Sequence, residues 1–148
     1  MARRNRRDDI VSHQKLVIRL IPRTDSISGL LDRLEAYAET TALPPRAAHR
    51  LAIICEELAT NVAMHGGSGV TYVEIAVGYD GDRLHLSIED DGQPFDPLAM
   101  PTPDTTARLE DRRIGGLGIH FVRNMVRNLT YERAGAINRL TAVLDTTE

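Results

Sequence analysis

The chain switches between two hydrophobic periods, and the switches mark out its elements. "LVIRLI" at 16–21 is a short apolar run closed by Pro22, and it predicts a strand. From about 28 to 40, Leu30, Leu31, Leu34 and Tyr37 recur at helical spacing, with Ser26 or Ser28 placed to cap the helix. "TALPPR" interrupts the pattern. A second helix is predicted from Pro45, a residue tolerated in a first helical turn, to about His65. Leu51, Ile54, Cys55, Leu58 and Val62 form its apolar stripe, and "HGGSG" ends it. The period then drops to two. Val70, Tyr72, Val73, Ile75 and Val77 predict a strand over 70–78. Asp80-Gly81 predicts a hairpin turn, and Leu84, Leu86 and Ile88 a return strand over 83–89.

From Asp90 to about Arg113 periodicity disappears, and Pro94, Pro97, Pro101 and Pro103 punctuate the chain. The stretch exceeds a passive connection, so 93–113 reads as a lid or a disordered segment. "GGLGIHFVRNMVRNL" opens a third helix with glycines at its start. Two strands, roughly 129–133 and 138–144, follow and are joined by "RAGA". The order β-α-α-β-β-loop-α-β-β predicts an α/β two-layer sandwich: one mixed, mostly antiparallel sheet covered on one face by three helices. It is not the β-α-β rhythm of a dinucleotide fold, and no internal repeat is visible.

Composition narrows the class. The 148 residues fit one domain, with 42% hydrophobic and 26% charged residues, as in an ordinary soluble globule. With Phe95 and Phe121 as the two phenylalanines and no tryptophan, the core must be mostly Leu, Ile, Val and Ala. A net charge of -3 offers no overall pull toward nucleic acid. The single cysteine, Cys55, cannot close an intrachain disulfide and reads as a small buried hydrophobe. No apolar run approaches about 18 residues, so no transmembrane helix is expected. The start, "MARRNRRDD", lacks the apolar stretch of a signal peptide. Residues 1–11 are expected to be a basic flexible tail and 12–148 the domain, in the cytoplasm.

Three clusters can carry chemistry. Glu57, Asn61 and His65 are spaced four apart and share one helix face, beside the apolar stripe. That face is either solvated surface or a site. The Asn61 amide can bind a cation or a phosphate, and Glu57 can orient or deprotonate a nucleophile. Glu56 points away, and His65 suits a helix C-terminus. In "EDDGQPFDP", Asp90 follows a strand and can accept a hydrogen bond from the amine of a base, while Gly92 lets a flat ring approach. The alternative is an Asp-rich turn. Glu89, Asp90, Asp91 and Asp96 lack the regular spacing of a calcium loop. Gly115, Gly116, Leu117 and Gly118 stand at a helix start, where free N–H groups favour phosphate, unless the glycines serve structure alone. The run is neither a P-loop nor a dinucleotide fingerprint. Thr141, in the last strand, reaches a base or is a core or edge threonine. Arg108, Arg112 and Arg113 lean onto phosphates or are solvated.

Taken in order, these pieces resemble the GHKL ATPase superfamily, and more closely its small anti-sigma factor serine/threonine kinases. "EELATNVAMHG" looks like the N-box helix of that branch, "DDGQPFDP" like its first glycine box and "GGLGIHFVRNMV" like its second. The resemblance covers roughly residues 12–145 and implies the histidine-kinase-like ATPase fold, with 93–113 as an ATP lid. It implies that Asn61 coordinates Mg²⁺ on ATP and that Glu57 is the general base. Asp90 would bind the adenine amino group, Gly92 would shape that pocket, and Thr141 would support the contact. Gly116, Leu117 and Gly118 would face the phosphates, joined by Arg113. The implied activity is phosphoryl transfer to a small partner protein. That partner would be an anti-sigma-factor antagonist, with a sigma factor as the other candidate, and a homodimer is expected. Two rival readings are a nucleotide-gated binding module without kinase activity, and an accessory ATP-binding subunit acting with a separate histidine-containing protein.

Overall fold

The computed structural model describes residues 15–99 and 116–147. The basic tail over 1–11, the first residues of the expected domain, Gly115 and the lid from 100 onward, with Arg108, Arg112 and Arg113, lie outside the described residues.

Strand β1 (Lys15–Leu20) leads through a 3-10 turn at Thr24–Ser26 into helix α1 (Ile27–Thr41) and then helix α2 (Pro45–His65). Strands β2 (Val73–Tyr79) and β3 (Arg83–Asp90) form a hairpin. Helix α3 (Gly116–Met125) precedes β4 (Arg127–Ala134) and β5 (Ile137–Asp145). The helix α1 begins as a continuation of the 3-10 turn, and neither candidate serine caps it: Ser26 makes no side-chain cap bond, and the Ser28 hydroxyl donates to the Asp25 carbonyl instead. It ends at Ala42, which takes the left-handed conformation at φ 54°. Pro45 opens α2 as expected, at a position where its missing N–H costs nothing. The β2–β3 turn is held by Asp80, whose Oδ1 accepts from the backbone of Asp82 and Arg83, and Gly81 supplies a φ of +97°.

The five strands lie in the order β1-β2-β3-β5-β4, and all four ladders among them are antiparallel. Alternation assigns the faces. Val73, Ile75 and Val77 of β2, Leu84, Leu86 and Ile88 of β3, and Ala142 and Leu144 of β5 are buried and face the helices. Leu30 and Leu34 of α1, Leu51, Ile54, Cys55 and Leu58 of α2, and Ile119 and Val122 of α3 complete that core. The opposite face carries polar rungs: Arg19 pairs with Glu74, Arg139 bridges Glu89 and Glu132, and Thr130 bonds Thr141.

The expected strand over 70–78 begins later, at Val73. Asp91 takes the backbone N–H groups of Thr71 and Tyr72 and the Thr71 hydroxyl, so the segment before β2 is held by a side chain, not by the sheet. Strand β4 starts directly after α3. It carries an irregularity between Arg127 and Thr130, with Asn128 at a φ of 53°.

Candidate functional site

The site forms where the C-terminal half of α2 passes the ends of β3 and β5. The apolar stripe of α2 anchors it in the core, which fixes the rotation of the neighbouring polar face. Asn61 is thereby driven inside, to 3% exposure, and among the described residues neither its Oδ1 nor its Nδ2 has a hydrogen-bond partner. A buried polar group in that state costs about 1–3 kcal/mol and calls for an explanation. Glu57, one turn earlier, is half-buried, and its Oε1 is likewise unpartnered. Burial pushes its carboxyl above the ordinary 4.5, and the charge of exposed Glu56 adds to the effect. His65 stacks flat on Phe95, with ring centroids 4.4 Å apart and planes 12° off parallel.

Strand alternation resolves the acidic doublet. Asp90 turns inward and is buried, while Asp91 turns away to hold Thr71 and Tyr72. Partial desolvation pulls the Asp91 carboxyl up, but the hydrogen bonds from Thr71 and Tyr72 outweigh it and hold the group below its ordinary value. Asp90 Oδ1 accepts from the Gly92 N–H at 2.9 Å. At Gly92 the chain runs against the end of α2, where a Cβ would lie 2.6 Å from the Gly66 carbonyl oxygen and 2.9 Å from Gly66 Cα. Only glycine fits there. Gln93 ties the two segments, its N–H donating to the Gly66 carbonyl at 3.0 Å and its side chain to the His65 carbonyl at 2.9 Å. Gly66 was legible in the sequence as a helix stop. It is also the other half of this close backbone contact.

Two residues from the last hairpin complete the recess. Asn138 lies directly across the ladder from Asp90, and its Nδ2 donates to Asp90 Oδ1 at 3.0 Å. Tyr131 donates its hydroxyl to Asn138 Oδ1 at 2.6 Å. The recess between α2 and the sheet is lined by Leu58, Asn61, Val62, Gly66, Ile88, Asp90, Phe95, Asn138 and Leu140, among others.

Thr141 requires a correction. It pairs with Ser87, so it stands on the sheet face opposite the helices, and its hydroxyl meets Thr130 at 2.6 Å. It is not brought to the recess; Asn138, three residues earlier, is the residue of β5 that stands on the buried face beside Asp90.

At the other end of the site, α3 starts beside Glu57. Gly118 is packed so closely under the Glu57 carboxylate that a Cβ there would overlap its Cδ and both oxygens. Gly116 and Leu117 form the first turn of the helix with it. Arg123, further along α3, donates to the Leu98 carbonyl and so ties the helix to the 3-10 turn Pro97–Ala99. The acidic cluster disperses: Glu89 pairs with Arg139, and Asp96 accepts from the Leu98 N–H. Among the described residues no three His, Cys, Asp or Glu side chains converge on one point. No helix among them is long and apolar enough to cross a membrane.

Residues 21–144 match the family described as the histidine kinase-like ATPase domain. The serine/threonine-protein kinase BtrW of Bordetella bronchiseptica is 25% identical over 93 residues, which span 62% of this chain and 66% of that protein. The solved RsbU and RsbW domains of Rv1364c from Mycobacterium tuberculosis are similar in fold, with a TM-score of 0.60 at 14% identity. That likeness covers 88% of this chain and 32% of the other. The chain therefore spans just under two thirds of the curated relative it matches.

Proposed function

This chain belongs to the histidine kinase-like ATPase domain family, and from that premise we propose that it is an ATP-dependent protein serine/threonine kinase of the anti-sigma-factor type. It would transfer the γ-phosphoryl group of ATP to a small regulatory partner protein. The observation that carries this reading is the placement of Glu57. Its carboxyl is raised by burial and lies on Gly118 at the start of α3, one helical turn from the orphaned amide of Asn61. A domain that only held a nucleotide has no use for a base at that position.

The residues fit ATP and a divalent cation. Asn61 offers a buried amide oxygen, a hard donor suited to Mg²⁺, and its unmet hydrogen-bonding capacity gains an explanation there. Asp90 is a buried acceptor for an exocyclic amine, and Gly92 packs directly on Gly66, which lines the recess beside it. Gly116, Leu117 and Gly118 belong to the first turn of α3, whose backbone N–H groups suit phosphate, and Gly118 lies beside Glu57. Mg²⁺, when bound, supplies neutralisation of phosphate charge. Glu57 then takes the proton of the acceptor hydroxyl as its oxygen bonds phosphorus and the bond to ADP breaks. Its raised pKa makes it a stronger base than a solvated glutamate once ionised. Positioning and charge neutralisation provide most of the catalysis.

By family resemblance the partner is an anti-sigma-factor antagonist, a sigma factor is the second candidate, and the working form is a homodimer in the cytoplasm. The similarity to BtrW, a serine/threonine-protein kinase, supports the kinase reading over a pure binding module. Calorimetry tests the nucleotide half. Wild type should bind Mg-ATP and Asn61→Ala should lose it, whereas normal affinity in that variant removes Asn61 from the site. Glu57→Ala should keep the nucleotide and lose transfer.

A further inference from the structure

We infer that Asn138 is the positioning residue for base recognition: with Tyr131 behind it, it fixes the Asp90 carboxylate in the orientation that accepts the 6-amino group of a purine. The inference rests on the nucleotide-binding half of the reading above and is independent of phosphoryl transfer.

Asn138 is 5% exposed, and its side chain makes four hydrogen bonds. Nδ2 donates to Asp90 Oδ1 at 3.0 Å and to the Gln93 carbonyl at 2.8 Å. Oδ1 accepts from the Tyr131 hydroxyl at 2.6 Å and from the Phe95 N–H at 3.4 Å. A primary amide has two donors and two lone pairs, so the group is saturated. The Gln93 carbonyl can only accept and the Phe95 N–H can only donate, so the chemistry leaves one way to place the amide. A saturated side chain has nothing left for a ligand. Its action on the recess passes through Asp90.

What it does to Asp90 is specific. Oδ1 receives two bonds, from Gly92 N–H at 2.9 Å and Asn138 Nδ2 at 3.0 Å. Among the described residues no group bonds Oδ2. The carboxylate is pinned through one oxygen and presents the other. A pinned acceptor favours a base that donates at that point and penalises one that offers a second acceptor. The residue type matters as well. Aspartate at 138 would set two carboxylates together and lose the donor to Gln93, and a shorter hydroxyl could make only one donation. The same four bonds join β4, β5, the end of β3 and the loop through Phe95, which is stacked on His65. The base pocket is therefore one hydrogen-bonded unit.

The test compares ADP with IDP, which carries a 6-oxo acceptor where adenine carries its amine, both with Mg²⁺, by calorimetry on the full chain. Wild type should bind ADP at least about tenfold more tightly than IDP, the effect of one polar contact of about 1.4 kcal/mol. In Asn138→Ala the ADP affinity should fall about tenfold while IDP changes little, so the preference collapses. Tyr131→Phe, which removes one outer bond and keeps the packing, should reduce the preference about threefold and serves if Asn138→Ala fails to fold. An equal loss for both nucleotides, with the ratio retained in the folded variants, means a structural role only and overturns the inference. Wild type that binds neither nucleotide overturns the nucleotide reading itself, and the inference with it.

Discussion

The Glu57 carboxylate rests on Gly118, and the contact leaves no room for a Cβ on α3. Two segments 61 residues apart in sequence are thus matched at a single side chain. The atoms a Cβ would meet are the far end of a flexible side chain, so a substitution there moves Glu57 more readily than it disturbs the fold. Gly118→Ala should keep stability within about 1 kcal/mol of wild type, since alanine also favours the helix. Transfer to a partner should fall by at least about a hundredfold, as expected of a displaced base. Urea melts beside a labelled-phosphate assay check both halves.

Glu57 also gives a sign to pH. Its folded-state pKa lies above the ordinary 4.5, so the native state holds the proton more tightly than the unfolded chain. The associated stability is complete below 4.5 and is lost as pH rises through the raised value. Glu57→Gln removes that loss. Its stability relative to wild type should therefore increase from pH 4 to pH 7, in denaturant melts at each pH. Transfer by wild type should rise over the window in which Glu57 ionises.

Asn61 should show function opposed to stability. Its amide is buried without partners, so Asn61→Leu replaces a desolvated polar group with an apolar one of similar size. The ligand-free protein should gain about 1 kcal/mol while Mg-ATP binding is lost. Melts with and without Mg-ATP distinguish this from a residue that merely fills the core.

The acidic doublet should separate cleanly. Asp91→Ala should cost about 1–2 kcal/mol, because Thr71 and Tyr72 lose their acceptor, and nucleotide affinity should stay near wild type. The Asp91 contribution is present above the ordinary carboxylate value and fades as pH falls through its lowered one. Asp90→Ala should do the reverse to binding, measured by calorimetry.

The elements whose cause is local were legible in the chain. Pro45 and the Leu51–Val62 stripe locate α2, and the Asp80-Gly81 turn locates the first hairpin. The three clusters of candidate residues stood out in the chain too, and the structure sets Glu57 against Gly118 and puts Asn61 and Asp90 in the lining of one recess. What stayed hidden depends on long-range register. Thr141 and Asn138 sit in one strand, and only the pairing of β5 with β3 decides which faces the recess; an odd offset puts them on opposite faces. Thr71 and Tyr72, inside the expected strand, are held by Asp91, which lies 20 residues from Thr71. The irregular start of β4 follows an exposed polar run without a clear period.

The central claim is transfer with Glu57 as the base, and one assay meets it directly. Wild type and Glu57→Gln are each incubated with γ-labelled Mg-ATP and an anti-sigma-factor antagonist, and the labelled amino acid is identified by acid hydrolysis. Phosphoserine or phosphothreonine on the antagonist with wild type, and its loss in a variant that still binds Mg-ATP, is the predicted result. Equal labelling by the variant would contradict it, as would tight Mg-ATP binding by wild type with no label on the antagonist.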